Sequence, residues 1–237
     1  MPRETVDRET WLAASKELLK REKALTRERD LLAEARRALP RVRVEADYGF
    51  EGPEGALSMA DLFAGRSQLA VYHFMFAPDW EAGCPICSFW ADSLDGLAPH
   101  LAARDVSLVM VSNAPVAALE SYRARMGWAL RWVSAEGSSF GHDMGVSFTP
   151  DELARGDYSY NYRKRGFSGP EAPGFSAFER DADGAIHHTS SVYARGLDGF
   201  NAAYQLLDLM PKGRDEAGLP FSMAWLRRHD EYAAGPG

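Results

Sequence analysis

The chain has only two cysteines, three residues apart in Cys84-Pro85-Ile86-Cys87. Cysteines at i and i+3 on the first turn of a helix bring their Cα atoms to roughly 5–6 Å, a separation that a disulfide accepts. Pro85 suits the first helical position, where no N–H is needed and φ is already near −65°. With Cys84 as N-cap, its sulfur faces unpaired backbone N–H groups and the positive end of the helix dipole, both of which favour thiolate over thiol. Cys84 is therefore the expected nucleophile. Cys87, one turn further in and more buried, is the expected resolving thiol that releases a mixed disulfide. Zinc is the competing chemistry and needs two further ligands. His73, His142, His187 and His188 are the candidates, but no His-x3–5-His pair and no second Cys pair occur, so no metal is expected. Two inert buried thiols are the remaining alternative.

Such a motif must sit where a buried strand runs into a helix. Residues 68–76, QLAVYHFMF, are nearly continuous in apolar character, as a central strand covered on both faces requires. They lead directly to the cysteines. Residues 85–103 carry an apolar stripe of Phe89, Trp90, Leu94, Leu97 and Leu101 and predict a helix. A second buried strand is predicted at 106–111 and a second helix at 115–126, giving a β-α-β-α order. Two alternating strands follow at 175–180 and 185–189 across Asp181-Ala182-Asp183-Gly184, then a long helix at 197–209 and a short one around 223–228. Between them, 134–173 is dense in Gly, Ser, Tyr, Arg and Asp, which predicts a loop-rich functional insertion outside the core. Within it, Tyr158, Tyr160 and Tyr162 alternate as a strand does.

Residues 7–39 lack Gly and Pro and predict one long helix that Pro40 ends. Trp11, Leu18, Leu25, Leu32 and Leu39 recur every seven residues, but the companion positions are small or charged, so the seam is half apolar. It packs either on a globular body or against a second copy, and a homodimer through this helix is one expectation. The domain reading is an N-terminal helical extension over 1–40 and one domain over 41–237, with the insertion at about 134–173. A net charge of −7 argues against a nucleic-acid partner, whose binders carry a basic face. No window approaches the roughly 20 apolar residues of a membrane span, and no signal-peptide pattern opens the chain, so a cytoplasmic location is expected.

Three stretches carry a family resemblance: Tyr72-His73-Phe74-Met75-Phe76; Pro78-Asp79-Trp80-Glu81-Ala82-Gly83-Cys84-Pro85-Ile86-Cys87-Ser88-Phe89-Trp90-Ala91-Asp92; and Met144-Gly145-Val146-Ser147-Phe148-Thr149-Pro150. Together they resemble an uncharacterised bacterial thioredoxin-like family, described as dithiol-disulfide oxidoreductases and otherwise as a domain of unknown function. The likeness spans nearly the whole chain, including Leu209-Met210-Pro211-Lys212-Gly213-Arg214-Asp215. It implies an α/β thioredoxin-like fold: a central mixed sheet flanked by helices, with a long N-terminal helix and an insertion before the third core strand. In the wider superfamily a proline before that strand, commonly cis, lies against the reactive cysteine and holds the backbone that docks substrate. Pro173 is at the equivalent place, and the resemblance implies a cis, substrate-binding role for it. Thioredoxins place Trp directly before the first Cys, where this chain has Gly83. Trp80 or Trp90 is the candidate to cover the site instead.

The expected reaction is thiol-disulfide exchange with a protein or small-molecule disulfide, reset by a cellular thiol reductant, with no cofactor. Phe76-Ala77-Pro78-Asp79-Trp80 leading to Cys84-Pro85 also resembles the peroxiredoxin approach to its peroxide-reacting cysteine. That likeness makes a thiol peroxidase the alternative, with Arg163 or Arg165 as the guanidinium. The family's Thr or Ser three residues before the cysteine is here Glu81. His73 and Asp92 are candidates for a proton relay to the cysteines. A non-catalytic binding module, with the insertion as its binding surface, is the alternative outside enzymology.

Overall fold

The computed structural model describes residues 4–232, in two units that divide after Arg41. The first is helix α1 (Arg8–Arg37), opened by Asp7, whose carboxylate accepts Thr10 N–H at 2.7 Å. None of its residues is buried, and Trp11, Leu18, Leu25 and Leu32 are all exposed.

The second unit is built on an eight-stranded sheet. After β1 (Val42–Arg43), a hairpin of β2 (Gly49–Gly52) and β3 (Gly55–Ser58) leads into the turn of helix α2 (Met59–Leu62), capped reciprocally by Ser58 and Asp61. Strand β4 (Gln68–His73) then runs through the centre. Its alternate side chains enter different cores: Ala70 and Tyr72 face one side, Leu69 and Val71 the other. Both faces are covered, as its apolar run requires.

Helix α3 (Pro85–Leu94) follows the cysteine loop, and α4 (Ala98–Ala102) is separate from it. The single helix expected over 85–103 is interrupted because Gly96 adopts φ +85°, outside helical space. Strand β5 (Val106–Ser112), helix α5 (Val116–Met126) and strand β6 (Trp132–Ser134) complete a parallel set with β4. The sheet then turns antiparallel: β9 (Gly174–Arg180) pairs with β4, and β10 (Ile186–Tyr193) with β9. The order β10-β9-β4-β5, with a helix crossing from β4 to β5, is the thioredoxin-like arrangement: a central mixed sheet flanked by helices, with the cysteines just after its first core strand.

The segment between β6 and β9 is more structured than its polar composition predicts. It contains α6 (Phe140–Asp143), α7 (Pro150–Arg155) and a hairpin of β7 (Ser159–Tyr160) and β8 (Arg163–Lys164). Val146, Phe148, Tyr160 and Ala172 bury against Tyr193 as a small core of its own. The tyrosine alternation spans a tight turn at Asn161 and Tyr162, both at positive φ, and not one strand. The long helix expected over 197–209 is also divided. A 3-10 turn, Ala194–Phe200, precedes α8 (Ala202–Leu209), because buried Asn201 caps α8 by accepting Tyr204 N–H at 2.9 Å. The helix expected around 223–228 is a series of turns, with Met223 at φ +71°. Among the described residues no helix is long and apolar enough to cross a membrane.

Candidate active site

Cys84 is the N-cap of α3, with Pro85 at its first position, and its Sγ accepts Cys87 N–H at 3.4 Å. Cys84 is half-buried, Cys87 is buried, and neither is in a disulfide. The two thiols are driven apart in acidity. A hydrogen bond from the Cys87 thiol lowers the Cys84 pKa to about 7 against the opposing effect of burial, helped by the Cys87 and Ile86 N–H groups and the charge of Arg228. Burial pushes Cys87 well above the ordinary thiol range. Tyr72, fully buried beneath the motif, donates from its hydroxyl to the Cys87 carbonyl at 3.2 Å, and its hydrogen bonding to Cys87 favours that thiolate.

Arg228 reaches the site from the C-terminal segment. Its Nη2 donates to the Gly83 carbonyl at 2.8 Å and its Nε to the Tyr122 hydroxyl at 2.8 Å. The Tyr122 hydroxyl meets Ser88 Oγ at 2.9 Å, and Ser88 Oγ donates to the Cys84 carbonyl at 2.9 Å. The backbone on both sides of the nucleophile is thus held by one chain of hydrogen bonds.

Gly83 stands where thioredoxins have Trp for a steric reason. A Cβ there would lie 2.7 Å from Phe74 Cε1 and 3.1 Å from Tyr122 Cε1, and Phe74 is fixed between Trp128 and Trp132. Gly83→Ala is expected to destabilise the fold by about 1–3 kcal/mol through overpacking, measurable as a lowered urea midpoint at unchanged slope.

A cavity of about 280 Å³ opens on Cys84. Trp90 and Pro173 line it with both cysteines, and Trp90 Nε1 donates to the Leu197 carbonyl at 2.7 Å. Trp80 is not in this lining; it packs half-buried on the core beside the loop. All peptide bonds among the described residues are trans, so Pro173 is not in the cis form that the superfamily resemblance implies. Trans is the ordinary preference of an X-Pro bond, and here the Pro173 carbonyl is held by the Tyr160 hydroxyl at 2.7 Å.

His73 and Asp92 are not brought to the thiols. His73 leaves β4 on the face opposite Tyr72, tilts over Phe140 and bonds Ser176 Oγ at 2.8 Å; burial depresses its pKa to about 3. Asp92 accepts from Trp128 Nε1 at 2.8 Å and meets His229 Nδ1 at 2.7 Å, tying the C-terminal segment to α3. Arg163 is exposed on β8, and Arg165 donates to the Gly156 and Arg155 carbonyls, so neither guanidinium lines the Cys84 cavity. The one His/Cys/Asp/Glu grouping with metal-ligand spacing among the described residues is Glu179, Asp181 and His187. It lies at the other end of β9 and β10.

Sequence reading missed Arg228, Tyr122, Tyr72 and Glu171. Glu171, two residues before Pro173 and buried, accepts Phe76 N–H and Asn113 Nδ2–H, each at 2.9 Å, and so ties the insertion to the cysteine loop. Burial, reinforced by the charge of Asp79, raises its pKa from 4.5 to about 7 over the pull of those two donors. An acid whose folded pKa is raised keeps its proton where the unfolded chain has lost it, so stability falls as pH rises from 4.5 to about 7 and is level above. Glu171→Gln is expected to remove that slope, worth about 3 kcal/mol, in urea unfolding at pH 5 and pH 8.

A profile of the family described as "Bacterial protein of unknown function (DUF899)" matches residues 1–232. The chain belongs to the DUF899 family. No curated protein matches it. Among solved structures, this chain is similar to peroxidoxin BcpB from Mycobacterium tuberculosis, at 16% identity and a TM-score of 0.46, covering 71% of this chain and 97% of that one. A mutant peroxiredoxin Q from Xanthomonas campestris matches at 12% identity and a TM-score of 0.42, covering 71% and 98%. A structure provisionally described as a thiol-disulfide oxidoreductase from Bacteroides vulgatus matches at 18% identity and 0.34, covering 44% and 70%.

Proposed function

We propose that the chain is a thiol-disulfide oxidoreductase, with Cys84 as nucleophile and Cys87 as resolving thiol. The observation that carries the reading is the placement of the pair: Cys84 is the half-buried N-cap of α3, its Sγ accepts Cys87 N–H at 3.4 Å, Cys87 is buried one turn on, and both line the cavity. The acidities split accordingly, with Cys84 lowered to about 7 and Cys87 pushed up. A thiol near neutrality is substantially thiolate while retaining the nucleophilicity that a more acidic one loses. Its protonated neighbour holds back until the mixed disulfide forms. Once Cys84 is in that disulfide, its charge no longer opposes ionisation of Cys87, and the Tyr72 hydroxyl and Met75 N–H favour the resolving thiolate.

Equilibrating the full chain in glutathione buffers of defined potential, then trapping thiols with a mass-tagged alkylating agent, tests this directly. One two-electron transition involving both cysteines, with no bound zinc, is the expected result. Thiols that react only after unfolding, or that hold zinc, would overturn it.

A further inference from the structure

The chain's own insertion and C-terminal segment close over Cys84, and this bears on which disulfide can reach it. An extended polypeptide docks by pairing with free backbone donors and acceptors beside a site. Around Pro173 three successive residues already have such groups engaged. Ala172 N–H donates to the Val146 carbonyl at 2.8 Å, the Pro173 carbonyl accepts the Tyr160 hydroxyl at 2.7 Å, and Gly174 pairs within the sheet with His73 and Tyr193. The same Tyr160 oxygen accepts Ala194 N–H at 2.9 Å, joining the insertion to the 3-10 turn.

What remains is the cavity, walled by carbon from Ile86, Trp90, Phe167, Leu197 and Met223. Met223 is pinned there by Glu216, whose Oε1 accepts Met223 N–H at 2.9 Å as well as Tyr204 O–H and Trp225 Nε1–H, each at 2.8 Å. Two charged residues contribute to the wall. Arg195 has an exposed side chain, and Asp198 Oδ2 is engaged by Arg214 at 3.0 Å and Arg195 at 3.3 Å. Neither offers an unpaired charge to a buried ionic group, whose desolvation would go uncompensated. The volume, about 280 Å³, is at the small end of ligand pockets, which run from roughly 300 to 1,000 Å³.

We propose that the substrate is a small, uncharged, apolar disulfide that enters this cavity, and neither a polypeptide nor a charged disulfide. The proposal rests on the dithiol reading above. The Cys84 thiolate attacks one sulfur of R–S–S–R′, forming Cys84–S–S–R and expelling R′S⁻, which takes up a proton. Cys87 then gives up its proton, attacks Cys84 Sγ and expels RS⁻, which that proton neutralises. Two electrons pass from the cysteine pair to one disulfide, yielding two thiols and a Cys84–Cys87 disulfide, and an external dithiol reduces the pair again.

The test is the oxidation rate of the reduced full chain by di-n-propyl disulfide, glutathione disulfide and insulin. Each rate is divided by that of the same disulfide with free dithiothreitol at the same pH. The expected result is a normalised preference of about 100-fold or more for di-n-propyl disulfide. Phe167→Ala, and independently Met223→Ala, are expected to lower it about tenfold, with iodoacetamide alkylation in parallel to correct for any change in Cys84 thiolate. Equal or faster normalised reaction with insulin or glutathione disulfide overturns the proposal, and if the glutathione titration still shows the two-electron transition, the dithiol reading survives. Thiols inert to every disulfide and to iodoacetamide sink both.

Discussion

Cys84→Ser is expected to abolish disulfide turnover, a fall of about a thousandfold or more, because the attacking sulfur is replaced by a hydroxyl that stays protonated at neutral pH. Cys87→Ser is expected to behave differently. Cys84 remains at the N-cap of α3 and attacks, but the mixed disulfide then has no internal thiol to resolve it and accumulates. Intact mass after exposure to one equivalent of disulfide distinguishes the two: no adduct on the first variant, one stable adduct on the second. No disulfide turnover by the wild-type chain and no adduct on either variant would make the pair incidental and leave the chain a binding module.

The pH dependence of alkylation is the second large effect. Below the Cys84 pKa of about 7 the thiol is protonated, so the iodoacetamide rate at one site per chain should rise about tenfold per pH unit and level off above 7. Cys87, held protonated by burial, should stay unmodified over the same range. The hydrogen bond from the Cys87 thiol is the largest cause of the lowered value, so Cys87→Ala should move the midpoint upward. A rise of one unit cuts the thiolate fraction at pH 7 about fivefold. Arg228→Met should shift the midpoint in the same direction by less, since the Arg228 charge is the smallest of the favourable causes. A wild-type midpoint at the ordinary thiol value of 9.0 would contradict the acidity split on which the proposed function stands.

Local sequence determined those parts of the site that depend on local geometry. The i, i+3 spacing, Pro85 at the first helical position and the apolar run of β4 are properties of adjacent residues, and they place Cys84 at a helix N-terminus after a buried strand. The order of strands and helices was legible for the same reason, since periodicity is local. Boundaries set by a single backbone torsion were not: Gly96 divides the helix expected over 85–103, and Asn201 starts α8 late.

Only the tertiary structure decided what surrounds the thiols. Arg228 lies 145 positions from Gly83 and Tyr122 lies 34 from Ser88, yet they hydrogen-bond in one chain around Cys84. Glu171 meets Phe76 across 95 positions. Read alone, an Arg near the end of a chain or a Glu in a polar insertion looks like a solvated surface residue, because charged side chains are mostly exposed and are buried only with partners that the linear sequence does not show. His73 shows the converse. Its nearness in sequence to the cysteines suggested a relay, but alternation along β4 turns it into the opposite core. The insertion reads as loop because its apolar residues are spaced irregularly, and only the pairing of Val146, Phe148 and Tyr160 with Tyr193, more than 30 positions away, makes it a wall of the site.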